Sequence, residues 1–117
     1  MRILIAEDEK DLNELLKKRL ENQKYTVDAC RDGEEALDLL QDHDYDAILL
    51  DIFMPHLDGF EVCAAVRRNS QVPILFLTAL GGEEDMLRGY ALGCDDYVTK
   101  PFSLAVLLAK TQALIRR

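Results

Sequence analysis

Three short apolar runs, each ending on a polar or acidic side chain, constrain this chain more than anything else in it. Ile3-Leu4-Ile5-Ala6 runs into Glu7-Asp8-Glu9, Ala47-Ile48-Leu49-Leu50 into Asp51, and Ile74-Leu75-Phe76-Leu77 into Thr78. A strand with one wet face alternates apolar with polar residues. A run without alternation needs cover on both faces, as in a parallel sheet between two helix layers. Two weaker candidates accompany them, Tyr25 to Cys30 and Tyr97-Val98. Tyr25-Thr-Val-Asp-Ala-Cys30 alternates more, as expected of a strand nearer a sheet edge.

Helical spacing fills the intervals. Leu12, Leu15, Leu16 and Leu20 share a face, as do Ala36, Leu37 and Leu40, then Phe60, Cys63, Ala64 and Val66. Met86, Leu87, Tyr90 and Ala91 form a fourth stripe, and Leu104, Leu107, Leu108, Thr111 and Ile115 a fifth. Helix ends carry matching chemistry: Lys17, Lys18 and Arg19 close the first helix and Arg67 and Arg68 the third, where exposed carbonyls favour cations. Ser103 is placed to cap the last helix and Gly93 to end the fourth in a left-handed turn. A βα unit repeated five times predicts one α/β domain, a doubly wound five-stranded parallel sheet flanked by five helices.

Composition narrows the function classes. Lys plus Arg number 14 and Asp plus Glu 22, for a net charge of −8, so this domain is not expected to hold a nucleic acid backbone. No apolar run is long enough to cross a bilayer and no charged-then-apolar leader opens the sequence, so a cytoplasmic protein with no membrane contact is expected. Cys30, Cys63 and Cys94 are widely spaced and odd in number, matching neither a disulfide framework nor a zinc knuckle.

Right-handed crossovers bring the carboxyl ends of parallel strands to one edge, where such sheets bind ligands. Glu7, Asp8, Asp51, Thr78 and Lys100 all fall there. Converging carboxylates repel one another and raise their pKa values. A hard divalent cation resolves the conflict, since carboxylate, carbonyl and water oxygens suit Mg²⁺. With Lys100 added, the site is close to neutral and leaves a phosphoryl group on Asp51 well balanced. The Thr78 hydroxyl can donate to a phosphoryl oxygen. Met54-Pro55-His56-Leu57-Asp58-Gly59 reads as a turn into the third helix, with His56 exposed on it and no catalytic partner in view.

Glu7-Asp8, Asp51 closing Ile-Leu-Leu-Asp, Met54-Pro55…Asp58-Gly59, Leu77-Thr78-Ala79 and Tyr97-Val98-Thr99-Lys100-Pro101-Phe102 together resemble the receiver domain of two-component response regulators. The resemblance spans residues 1–117, in order and with matching spacing. It implies a flavodoxin-like sheet with strand order 2-1-3-4-5. It implies that Asp51 accepts a phosphoryl group from a sensor histidine kinase. It implies Mg²⁺ on Glu7, Asp8, Asp51 and the backbone carbonyl of Phe53, and phosphoryl oxygens held by Thr78, Lys100 and the backbone amide of Ala79. The Lys100–Pro101 bond is expected to be cis. Signalling would follow as Thr78 moves toward the phosphoryl group and Tyr97 turns inward behind it, changing the face built from the fourth helix, fifth strand and fifth helix.

Gly93-Cys94-Asp95-Asp96-Tyr97 and the chain end resemble the OmpR/PhoB subfamily. That likeness implies a phosphorylation-dependent homodimer through the same face, with Asp96 and Lys110 as candidates for a cross-dimer ion pair. It also implies a longer transcription regulator carrying a winged-helix DNA-binding domain after this one. Ala105 and Val106 stand where the subfamily tends to carry charge, which makes the expected dimer face more apolar. Phe53 and Leu80, two residues beyond Asp51 and Thr78, cannot orient a water for attack, so self-dephosphorylation is expected to be slow. Other classes fit less well. An aspartate-nucleophile phosphatase needs a second Asp where Phe53 stands, and Glu7-Asp8-Glu9 would repel a flavin phosphate. The remaining alternative is a receiver-like docking module that works without phosphorylation.

Overall fold

The computed structural model describes residues 1–117. Five strands alternate with five helices: β1 (Arg2–Ala6), α1 (Lys10–Asn22), β2 (Thr26–Cys30), α2 (Gly33–Asp42), β3 (Ala47–Leu50), α3 (Gly59–Arg67), β4 (Ile74–Thr78), α4 (Glu83–Ala91), β5 (Asp96–Thr99) and α5 (Leu104–Arg116). All neighbouring strands pair in parallel, in the order β2-β1-β3-β4-β5, as the sequence predicts. The alternating strand β2 is an edge.

The absence of alternation in β1, β3 and β4 has the expected cause. Leu4, Ala6, Ile48, Leu50, Ile74 and Phe76 face one core, which Ala36, Phe60 and Cys63 complete from α2 and α3. Ile3, Ile5, Leu49, Leu75 and Leu77 face the other, closed by Leu16 and Leu20 of α1 and Leu107 and Leu108 of α5. Each leucine, isoleucine or phenylalanine among them contributes about 1.5–3 kcal/mol by leaving water.

Two helical stripes differ from their expected role. Leu87 of α4 is 61% exposed and Tyr90 45%, and Gly89 is the only buried residue of that helix. A Cβ at Gly89 would stand 3.2 Å from the Tyr97 ring, so α4 rests on β5 through its glycine and turns its larger apolar residues outward. Leu15 of α1 is likewise exposed. The helix ends follow the sequence more closely. Ser103 accepts from the Val106 amide at 3.3 Å, and Gly93 takes φ +103°. Asp58 and Glu61 form a reciprocal capping box on α3.

Candidate functional site

The strand order reverses between β1 and β3, and the candidate residues gather at that crevice. Asp51 leaves β3 with its amide on the Ala6 carbonyl (2.9 Å), and the Glu7 amide bonds the Cys30 carbonyl across β2 (3.1 Å). Asp51 is 3% exposed and Glu7 fully buried. Lys100, arriving after β5, places Nζ 3.1 Å from Asp51 Oδ2 and 2.7 Å from Glu7 Oε1. Its neighbour Pro101 follows a cis peptide bond. Asp51 Oδ1 accepts from the Phe53 amide at 3.2 Å.

Glu7 is the strained member. Its Oε2 accepts from the Glu9 amide at 2.9 Å. Its Oε1 is buried, with the Lys100 ammonium 2.7 Å away as an ion contact. Burial pushes its carboxyl up to about 7, with Lys100 and the Glu9 amide pulling it back and the Asp51 charge adding to the rise. Burial also works against the Lys100 ammonium, but its contacts with Glu7 and Asp51 prevail and raise its pKa.

Asp8 lies apart from this trio. It is exposed and lines a cleft of about 460 Å³ with Phe53, Met54, Leu80, Asp85 and Arg88. Glu7 and Asp51 are gathered on Lys100, and no three carboxylate, imidazole or thiol groups stand together as a closed ligand cluster. The donor set still fits a hard cation in kind. It offers the buried carboxylates of Glu7 and Asp51, with the exposed Asp8 carboxylate at the neighbouring cleft. A larger groove, about 520 Å³, lies between α2 and α3, away from all of these residues.

The remaining candidates are distributed as follows. Thr78 is fully buried, its hydroxyl oxygen accepting from the Leu80 amide at 3.3 Å, while Ala79 is exposed. Tyr97 is already inside, 5% exposed, its ring 5.9 Å from that of Phe76 and its hydroxyl donating to the Leu80 carbonyl. Asp96 and Lys110, expected to meet between two copies, form an ion pair within one chain at 3.2 Å. His56 adopts φ +70° on its exposed loop and stands 3.5 Å from Asp32, outside the crevice.

Two positioning residues, Asn13 and Arg31, carry no signal that the sequence alone makes plain. Asn13 Nδ2 donates to the carbonyls of Glu7 (3.0 Å) and Cys30 (2.9 Å), pinning α1 to the ends of two strands. Its signal was a lone amide on the stripe that Leu16 and Leu20 bury. Arg31 donates to the Asp8 carbonyl through Nε (3.2 Å) and Nη2 (2.8 Å), and nothing in the sequence marks it. Gly59, which the sequence places at the end of the turn into the third helix, packs against the Asp51 backbone.

Comparison with known proteins identifies the family and the fold. The family model described as the response regulator receiver domain matches residues 3–112. The transcriptional regulatory protein TcrA of Mycobacterium tuberculosis is 46% identical over 118 residues, spanning 100% of this chain and 47% of its own length. The probable transcriptional regulator ycf27 of Guillardia theta is 47% identical, over 99% of this chain and 46% of its own. The chain thus spans about half the length of these curated relatives. Among solved structures, the receiver domain of the Francisella response regulator 1452 superposes with a TM-score of 0.94 at 35% identity, covering 99% of this chain and 97% of that one. The BeF3-activated N-terminal receiver domain of RstA from Klebsiella pneumoniae has a TM-score of 0.94 at 29% identity, with full coverage of both chains.

Proposed function

Because this chain belongs to the response regulator receiver domain family, we propose that Asp51 accepts a phosphoryl group from the phosphohistidine of a sensor histidine kinase. The observation that carries this is a single buried acceptor carboxylate with one oxygen 3.1 Å from Lys100 and the other on the Phe53 amide, at the sheet crevice. An Asp51 oxygen attacks phosphorus, the phosphorus–nitrogen bond breaks, and its electron pair leaves with the imidazole. Such a transfer asks for positioning and charge neutralisation more than for covalent work by the protein.

Glu7, Asp8, Asp51 and the Phe53 carbonyl are the residues to hold Mg²⁺. Bound there, the ion would offset the carboxylate charge and draw charge from phosphoryl oxygens. In this reading Lys100, Thr78 and the Ala79 amide receive those oxygens. Thr78 must turn its hydroxyl from the Leu80 amide to do so. Leu80 bonds Thr78 through its amide and the inward-facing Tyr97 through its carbonyl, which supports a coupled response of the two. The output face is that of α4, β5 and α5, where Leu87, Tyr90 and Val106 are exposed, and it is the surface for a phosphorylation-dependent homodimer. Relatives of twice this length named as transcriptional regulators support a DNA-binding output domain beyond this one, in a cytoplasmic protein. The receiver makes no contact with DNA in this reading and turns over no substrate beyond its own phosphoryl group. No helix is long and apolar enough to cross a membrane.

Weighing the intact protein after exposure to a small phosphodonor and Mg²⁺ tests the proposal. Wild type should gain one phosphoryl group and Asp51→Ala none. An equal gain in both, or none in wild type, overturns it.

A further inference from the structure

We propose that Arg31 is a positioning residue for magnesium binding, acting through the backbone of Asp8; this rests on the phospho-acceptor reading above. The turn Glu7-Asp8-Glu9 carries three consecutive carboxylates, which repel one another and favour an open, variable turn. Its first residue is held from several sides: the Glu7 amide by the Cys30 carbonyl, the Glu7 carbonyl by Asn13, and its carboxylate by the Glu9 amide. Asp8 is exposed, and its carbonyl is gripped by two nitrogens of one guanidinium, Arg31 Nε at 3.2 Å and Nη2 at 2.8 Å.

The grip comes from a fixed base. Ala6 pairs with Cys30 in the β1–β2 ladder, so Arg31 begins the loop alongside the acidic turn. Its next neighbour Asp32 caps α2, accepting from the Glu35 amide at 2.8 Å. A planar fork anchored this way restricts the rotation of the Asp8 peptide, and with it the direction of the Asp8 carboxylate. Lysine carries the same charge but no fork. By charge alone, a nearby cation would weaken magnesium binding. The fork acts in the opposite sense, by orienting a ligand.

The test titrates Mg²⁺ into the whole chain and follows the thermal unfolding midpoint, then measures the Mg²⁺ concentration giving half-maximal phosphorylation by a small phosphodonor. Arg31→Ala should raise both half-saturation concentrations about tenfold, the lower end of effects from residues that orient metal ligands. It should leave the magnesium-free midpoint and the rate at saturating Mg²⁺ as in wild type, and Arg31→Lys should not restore tight binding. Unchanged or tighter magnesium binding in Arg31→Ala, a lowered magnesium-free midpoint, or full restoration by lysine overturns the proposal. Wild type that shows a magnesium shift yet takes up no phosphoryl group sinks the phospho-acceptor reading and leaves the Arg31 clamp standing.

Discussion

A Cβ added to Gly59 would lie 2.3 Å from the carbonyl oxygen of Asp51 and 2.7 Å from the Ile52 Cα. The first residue of α3 therefore seats directly on the backbone that delivers the acceptor carboxylate. Helix propensity alone would favour alanine there by about 1 kcal/mol. The clash is with main chain, which cannot rotate aside, and overpacking of this kind costs about 1–3 kcal/mol. Gly59→Ala should thus lower the urea midpoint, the loss of stability reaching about 2 kcal/mol net of that gain. A midpoint at or above wild type would show that the loop after β3 yields freely.

Lys100 is the shared counter-ion of Glu7 and Asp51, and its removal should expose their repulsion. Lys100→Met should cost about 2 kcal/mol in magnesium-free buffer, less than the roughly 3–5 kcal/mol for a fully buried pair, because the Lys100 side chain is 21% exposed. Adding Glu7→Gln should recover at least half of that loss, since one carboxylate then remains where two stood. Strictly additive effects in the double variant would refute the shared-cation account.

The strands and the principal site residues were legible because a buried parallel strand must be apolar on both faces and then deliver its next residue to a predictable edge. Asp51, Thr78 and Lys100 follow from that geometry together with the family motif. The exposure of Leu87 and Tyr90 was not legible, because helical spacing shows which residues share a face, not whether that face points inward. Here Gly89, with no side chain, is what meets Tyr97. Asn13 and Arg31 work through backbone carbonyls, whose directions exist only once the loops are folded.

Arg67 shows the same limit, and it supports the next prediction. As a cation at a helix end it reads as a partner for the local carbonyls. In the structure it leaves them, donating to the carbonyls of Gly93 (2.8 Å), Val72 (2.7 Å) and Ser70 (3.2 Å) and to Asp95 (3.0 Å). Asp95 in turn accepts from the Ile74 amide that starts β4. Arg67→Lys keeps the charge but cannot serve so many acceptors. It should cost about 1–2 kcal/mol in denaturant unfolding, and Arg67→Ala more. A lysine variant as stable as wild type would mean that charge alone matters there.

Phe53, 55% exposed, and Leu80, which supplies both the amide on Thr78 and the carbonyl under Tyr97, stand two residues beyond Asp51 and Thr78 and line one cleft. Neither side chain can accept a proton or orient an attacking water, a task other phosphoryl-transfer sites give to an amide or carboxylate. The phosphorylated chain should therefore decay over minutes to hours in Mg²⁺ buffer, and Phe53→Asn should shorten that lifetime. Following the mass of the phosphorylated protein with time settles the matter, and decay of wild type within seconds would contradict it.

The thiols provide a prediction with a defined pH sign. Burial pushes Cys30 and Cys94 up to about 12 and raises Cys63 as well, each above the ordinary range of a thiol. A raised thiol pKa leaves less thiolate at any working pH, and the thiolate is the reactive form. All three are also buried in the native chain. At pH 8 a thiol reagent should therefore modify the folded protein far more slowly than the unfolded one, which should titrate as three thiols. Between pH 8 and 10 the native rate should keep rising with hydroxide, where a free peptide thiol levels off near a pKa of about 8.5. Rapid modification of even one thiol at pH 8, with the urea midpoint unchanged, would place that cysteine at the surface.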